Sequence, residues 1–195
     1  MALSLDEGKE LIMLARDSIE EVLGGNKLVV DESIKKKFKA KQGCFVTLTS
    51  NRKLRGCIGY PEPYLPLWDA IVHSARNAAF EDPRFSPLKK EEYKDINVEI
   101  SVLTVPIQLK GEPSGYTKEI KIGRDGLIIK GRISSGLLLP QVFTEYNCDA
   151  KQALIMTCEK AGMEKNAWKN KENKVLRFSA QIFTEENGQI VEKNL

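Results

Sequence analysis

The stretch that most constrains the chain is Lys53-Leu54-Arg55-Gly56-Cys57-Ile58-Gly59-Tyr60, where two glycines bracket a cysteine in an otherwise apolar run. A strand sends side chains alternately to its two faces, so Arg55, Cys57 and Gly59 share one face and Leu54, Gly56 and Ile58 take the other. The preceding run, Cys44-Phe45-Val46-Thr47-Leu48-Thr49, is also strand-like, and Ser50-Asn51-Arg52-Lys53 reads as a hairpin loop between them. A loop of those four residues sets Leu48 opposite Arg55 and Val46 opposite Cys57. Glycine within a strand marks a bulge or a close approach, so Gly56 and Gly59 predict a bare surface over Cys57.

The surrounding elements follow from capping and spacing. Ser4 and Glu7 have capping-box spacing at the head of a helix running to about Leu23, with Leu11, Ala15, Ile19, Val22 and Leu23 as its apolar stripe. Asp31 caps a short helix anchored by Ile34 and Phe38 and rich in lysine: Lys35, Lys36, Lys37, Lys39 and Lys41. Those lysines read as a solvated face before they read as phosphate contacts. Pro66 opens a helix to about Phe80, with Leu67, Ala70, Ile71, Ser74, Ala75 and Ala78 inward and His73, the single histidine, turned to water. Ile96, Val98, Ile100 and Val102 form the inner face of a strand, and Glu99 lies on the other. A carboxylate in so apolar a run needs solvent or a partner, and Arg55 and Arg84 are the natural candidates.

Beyond the Gly111–Gly115 loop, residues 120–139 read as a meander of short strands and glycine turns, with 137–141 as core feeding a turn. Asp149 and Gln152 box a helix whose stripe is Ala150, Ala153, Leu154, Thr157, Cys158 and Ala161 and which Gly162 stops. Trp168 reads as a lid on the core. Lys174 to Thr184 is a last strand with Leu176, Phe178, Ala180 and Ile182 inward, and the tail from Glu185 reads as loose. These elements predict an α+β chain, mainly antiparallel sheets flanked by helices, in one domain of 195 residues with no linker dividing it.

Several function classes drop out. A net charge of +3 is well short of the strong basic bias of a dedicated DNA-binding domain. No apolar run approaches the roughly 20 residues of a membrane helix, and the first residues lack the regions of a signal peptide, which predicts a cytoplasmic protein. The lysine and hydroxyl of a P-loop are missing from Gly123-Arg124-Asp125-Gly126, no G-x-G-x-x-G follows a strand, and G-x-S-x-G is absent. One histidine and four scattered cysteines leave a zinc or iron site without its usual ligands, so no metal or cofactor is expected. Cys44, Cys57, Cys148 and Cys158 form no C-x-x-C pair and read as free thiols.

Leu54-Arg55-Gly56-Cys57-Ile58-Gly59 resembles the signature hexapeptide of the AMMECR family in its archaeal type. The likeness continues through Gly43–Leu48, Asp82-Pro83-Arg84-Phe85-Ser86-Pro87-Leu88, Val98–Leu103, Leu138–Val142 and Lys160-Ala161-Gly162. The resemblance implies a larger and a smaller subdomain, the larger built from both chain ends, with a cleft between them. It also implies Memo-type or radical-SAM proteins as partners in a modification pathway, whereas the family's own biochemistry is not established.

A thiol beside cations is the chemistry left. Cys57 next to Arg55, with Arg84, would have its pKa lowered and could act as a nucleophile. The candidate site is therefore Cys57 as catalytic residue, with Arg55, Gly56, Gly59, Arg84 and Glu99 binding a small anionic ligand or nucleotide. Two other readings stand beside it: Cys57 as a small packed residue in a non-catalytic protein- or RNA-interaction module, and nucleic-acid binding through the lysine run. For Arg84, a loop-knitting pairing with Asp82 and a second cation near Arg55 are equally open.

Overall fold

The computed structural model describes residues 2–193. The chain forms two compact units: residues 2–103 with 181–193, and residues 104–180.

In the first unit, α1 (Leu5–Val22) starts at the Ser4/Glu7 capping box, and α2 (Glu32–Lys37) is capped by the Asp31 carboxylate. Strands β1 (Cys44–Ser50) and β2 (Lys53–Tyr60) form the hairpin, followed by α3 (Leu67–Phe80) and β3 (Ile96–Leu103). Cys44, Val46, Leu48, Val98, Ile100 and Val102 face a core closed by Leu11, Ile12, Ala15 and Ile19 of α1 and Leu67, Ala70, Ile71, Ala75 and Ala78 of α3. Val22 is the exception in the α1 stripe and is half exposed, while Ile12 and Leu14 are buried in its stead.

The second unit contains β4 (Ile107–Gln108), α4 (Tyr116–Glu119), β5 (Asp125–Lys130), β6 (Ser135–Leu138), α5 (Pro140–Glu145) and α6 (Ala150–Lys160). The meander over 120–139 is narrower than its spacing predicts. Ile120-Lys121-Ile122 is not a strand, because its backbone closes the α4 turn and passes straight into the turn before β5. Residues 137–141 end β6 and begin α5 with Pro140 at its first position, where the missing N–H costs no hydrogen bond. The Asp149/Gln152 box and the Gly162 stop frame α6, which buries Ala153, Leu154, Thr157 and Cys158, and Trp168 is buried in the same core.

Strand β7 (Lys174–Glu186) has its first half in this second unit, between β4 and β5. Its remaining residues, 181–186, belong to the first unit, where the strand order runs β2-β1-β3-β7 and β8 (Gln189–Lys193) pairs β7. The tail from Glu185 is thus ordered up to Lys193, not loose: Asn187 and Gly188, both at positive φ, make a tight hairpin turn into β8. Residues 194–195 lie outside the described residues. Strand β7 does not alternate as predicted. Val175, Phe178, Ile182 and Phe183 are buried while Leu176 is only partly so, because the strand is covered on both faces. Every pairing recorded between strands is antiparallel, with helices packed on them. No helix is long and apolar enough to cross a membrane among the described residues.

Candidate functional site

The register of the β1/β2 hairpin decides what surrounds Cys57. The turn is two residues, not four: Asn51 (φ 50°) and Arg52 (φ 61°) occupy it, and Ser50 pairs with Lys53 and Thr49 with Leu54. A β-bulge then places Arg55 out of the ladder, so Leu48 pairs with Gly56 and Thr47 with Cys57. The predicted pairs, Leu48 with Arg55 and Val46 with Cys57, are shifted by that one inserted residue. Its consequence is a change of face. Cys44 points into the core with Val46, whereas Cys57 lies with Thr47 and Glu99 on the other face. All four cysteines are free thiols.

Strand β2 is the outer strand of its sheet, so one side of its backbone has no strand neighbour among the described residues. The Glu81–Leu88 loop takes that place. The Cys57 N–H donates to the Asp82 carboxylate at 2.9 Å, and Arg84 Nη2 donates to the Cys57 carbonyl at 3.2 Å. Arg84 also grips Asp82 through Nε at 2.9 Å and Nη2 at 2.7 Å. With Cys57 N–H and C=O turned outward, Cys57 and Thr47 form a non-hydrogen-bonded pair, the closer kind, and the Thr47 hydroxyl donates to Cys57 Sγ at 3.1 Å.

Both glycines have internal packing reasons. A Cβ on Gly56 would stand 2.0 Å from the Ala78 carbonyl oxygen, which is how closely α3 approaches the strand. At Gly59 it would meet the Cys44 carbonyl oxygen at 2.2 Å and the Phe45 ring at 2.6 Å. The face beside Cys57 is therefore not bare: the Phe45 ring lies over Gly59.

The charged residues divide among separate partners. Arg55 makes a bidentate pair with Glu92, at 2.9 and 3.1 Å, through the turn of residues 90–95. Glu99 pairs with Lys193 at 3.3 Å, not with either predicted arginine. Arg84 pairs with Asp82, the loop-knitting role, and carries its guanidinium to the Cys57 carbonyl. His73 is half exposed and faces Asp69 on its own helix. Within the lysine run, Lys35 pairs with Glu32 and Lys37 with Glu10, which spends part of its charge within the protein.

These surroundings do not lower the Cys57 thiol. Burial pushes its pKa up, and Asp82 and Glu99 add to that; the Thr47 hydrogen bond and the Arg84 charge oppose it without reversing it. Arg55, expected beside the thiol as an activating cation, is paired with Glu92, and Arg84 reaches Cys57 together with its own carboxylate partner Asp82. Asp82 itself is held well below the usual carboxylate range, chiefly by the Arg84 guanidinium and then by the Cys57 and Arg84 amides, against the effect of burial.

Thr47, Asp82, Glu92 and Lys193 were not among the predicted site residues. Thr47 follows once the bulge is known, and the Asp82-Pro83-Arg84 sequence carries its own pair two residues apart. Nothing local in the sequence ties Glu92 to Arg55 or Lys193 to Glu99, pairs 37 and 94 residues apart.

Comparison with known proteins gives a consistent result. A sequence profile of the AMMECR1 family matches residues 12–183. A protein of Methanothermobacter thermautotrophicus is 49% identical over 186 residues, covering 94% of this chain and 97% of its own. Protein MJ0810 of Methanocaldococcus jannaschii is 46% identical over 198 residues, covering 99% and 98%. The crystal structure of uncharacterized protein PH0010 from Pyrococcus horikoshii matches with a TM-score of 0.91 at 42% identity, over 97% of this chain and 98% of that one.

Proposed function

We propose that this chain, which belongs to the AMMECR1 family, binds an anionic small molecule or nucleotide at the half-buried face around Cys57. The observation that carries the reading is an asymmetry of exposure within the ion pair at the site. The Arg84 side chain is 53% exposed and its partner Asp82 only 2%, so an approaching molecule meets the cation and not the carboxylate. The Glu99–Lys193 pair on the same sheet face is arranged likewise, with the lysine the more exposed member. At Arg55 the order is reversed: the arginine is 13% exposed and Glu92 39%, which makes Arg55 a support and Arg84 the contact. Asp82 and the Cys57 carbonyl take the Nε and Nη2 donors of Arg84, which fixes the guanidinium and leaves Nη1 to meet an oxyanion.

Binding without thiol attack fits the geometry better than catalysis by Cys57, because burial pushes the thiol pKa up and so disfavours the thiolate. Cys57 then lines the site beside Thr47. A modification pathway with a Memo-type or radical-SAM protein would supply or consume the bound anion.

The test is thermal denaturation of the full chain with ATP, AMP and pyrophosphate as probes. The expected result is a saturable stabilisation that Arg84→Gln weakens by about tenfold or more and Arg55→Gln leaves in place, each measured against its own baseline. If none of the probes stabilises the wild type, the anion reading falls. The face would then be read as a non-catalytic interaction surface, the role to which a hexapeptide packed so tightly against Ala78 and Phe45 is also suited.

A further inference from the structure

A second cation-rich depression lies within residues 104–180, on elements that take no part in the Cys57 site. Asp125, at the head of β5, is buried and faces two arginines. Arg124 holds it bidentately at 2.7 Å through both Nε and Nη2, and Arg177 Nη1 stands 3.8 Å from it. Two guanidiniums against one carboxylate leave one positive charge. The Arg177 Nε–H is buried and has no acceptor among the described residues, although a buried donor on a charged group strongly favours having one.

These groups line a depression of about 310 Å³ with Thr104, Val105, Ile107, Phe178 and Ser179. Val105 and Ile107 stand more than half exposed at its rim, in a connection tied down by Thr104, whose N–H donates to the Ser179 carbonyl and whose hydroxyl accepts the Ser179 N–H. The size is at the lower end for small-molecule sites, and the combination of an apolar rim with a few convergent polar groups is what such sites have.

We infer that this depression binds a small monocarboxylate with an aliphatic body. The carboxylate supplies the single negative charge that the arginine pair lacks and meets the exposed part of the Arg177 guanidinium, whose side chain is about a third exposed. Val105 and Ile107 cover the aliphatic part, which removes apolar surface from water on both sides. Arg124 and Asp125 hold the frame, and Arg177 makes the contact.

The experiment follows the arginine Nε–H and the Thr104 and Ser179 amide signals of the full chain by NMR, with isovalerate, inorganic phosphate and isopentanol as probes. Isovalerate should shift the Arg177 Nε–H saturably and isopentanol should not. Arg177→Gln should weaken isovalerate at least about tenfold, as expected for loss of a charge-assisted contact. Ile107→Ser, at an exposed position that does not threaten folding, should weaken isovalerate severalfold without affecting phosphate. The proposal is overturned if isovalerate and isopentanol act alike, if phosphate binds as tightly as isovalerate, or if neither substitution changes the isovalerate response.

Discussion

The Asp82 carboxylate accepts the backbone N–H of Cys57 at 2.9 Å while Arg84, paired with that carboxylate, donates to the Cys57 carbonyl at 3.2 Å. One ion pair thus offers Cys57 the acceptor and the donor that a neighbouring strand would have offered. It seals the outer edge of β2 at the residue where the sheet would otherwise be open to pairing with another chain.

Asp82→Ala should accordingly destabilise the protein by about 2–4 kcal/mol, since it leaves a buried amide unpaired and Arg84 without its counter-charge. Urea unfolding at neutral pH measures this. The wild type should also show a dependence on acid. The folded-state pKa of Asp82 is depressed, so its contribution is present above the unfolded value near about 3.9 and is lost as pH falls from there towards the folded value. Asp82→Asn should flatten the stability profile below about pH 4, and an unchanged profile would remove Asp82 from the account.

Cysteine reactivity separates Cys57 from the core thiols Cys44 and Cys158. Burial pushes Cys44 up to about 11, against hydrogen bonds from Ser74 and Tyr60, and raises Cys57 and Cys158 as well. Limiting iodoacetamide across a pH series, read for each cysteine by mass spectrometry, should leave Cys44 and Cys158 unmodified in the native protein. Cys57 should react slowly, with a midpoint above the free-thiol value of about 8.5. A midpoint below that value would restore the nucleophile.

Glycine substitutions test the packing reading of the hexapeptide. Gly56→Ala forces a Cβ to within 2.0 Å of a helix backbone oxygen and should cost roughly 3 kcal/mol or more, because α3 must move. Gly115→Ala is the control. No atom lies within 4 Å of the added Cβ and its φ of −87° suits any residue, so denaturant midpoints should differ by less than about 0.5 kcal/mol in effect.

Much of this fold is legible in the chain because its signals are local. The Ser4/Glu7 and Asp149/Gln152 boxes, Pro66, Gly162 and the alanine-rich stripe of α3 each fix an element from residues within one or two turns. The family resemblance identified from the hexapeptide and the Asp82–Leu88 segment agrees with the profile match over residues 12–183. The site was less legible for two reasons. A bulge at Arg55 cannot be read from alternation, and it moves Cys57 to a different set of neighbours. The partners of Arg55 and Glu99 come from distant segments, which only the assembled sheet and the 90–95 turn bring close. The β7/β8 hairpin is a different case: Asn187-Gly188 is a strong turn signal, but it sits in a charged tail whose weak apolar pattern hid the strand.

The two tight hairpin turns make opposite predictions. In the turn between β1 and β2, Arg52 holds φ at 61°, a left-handed conformation that costs a non-glycine residue on the order of 1 kcal/mol. In the turn between β7 and β8, Gly188 holds φ at 76° without that cost. Arg52→Gly should therefore stabilise the protein by about 0.5–1 kcal/mol, and Gly188→Ala should destabilise it by about 1 kcal/mol, both read from urea midpoints at constant m. Arg52 also lines a depression with Lys193 and three glutamates, Glu99, Glu185 and Glu186, on the sheet face that carries Cys57. Its guanidinium there offsets part of the negative charge of those carboxylates, and its loss would leave the face more negative. Arg52→Gly should then weaken binding of the anionic probes at the Cys57 face while raising stability. A gain in stability with unchanged anion binding would confine the site to Arg84 and its immediate neighbours.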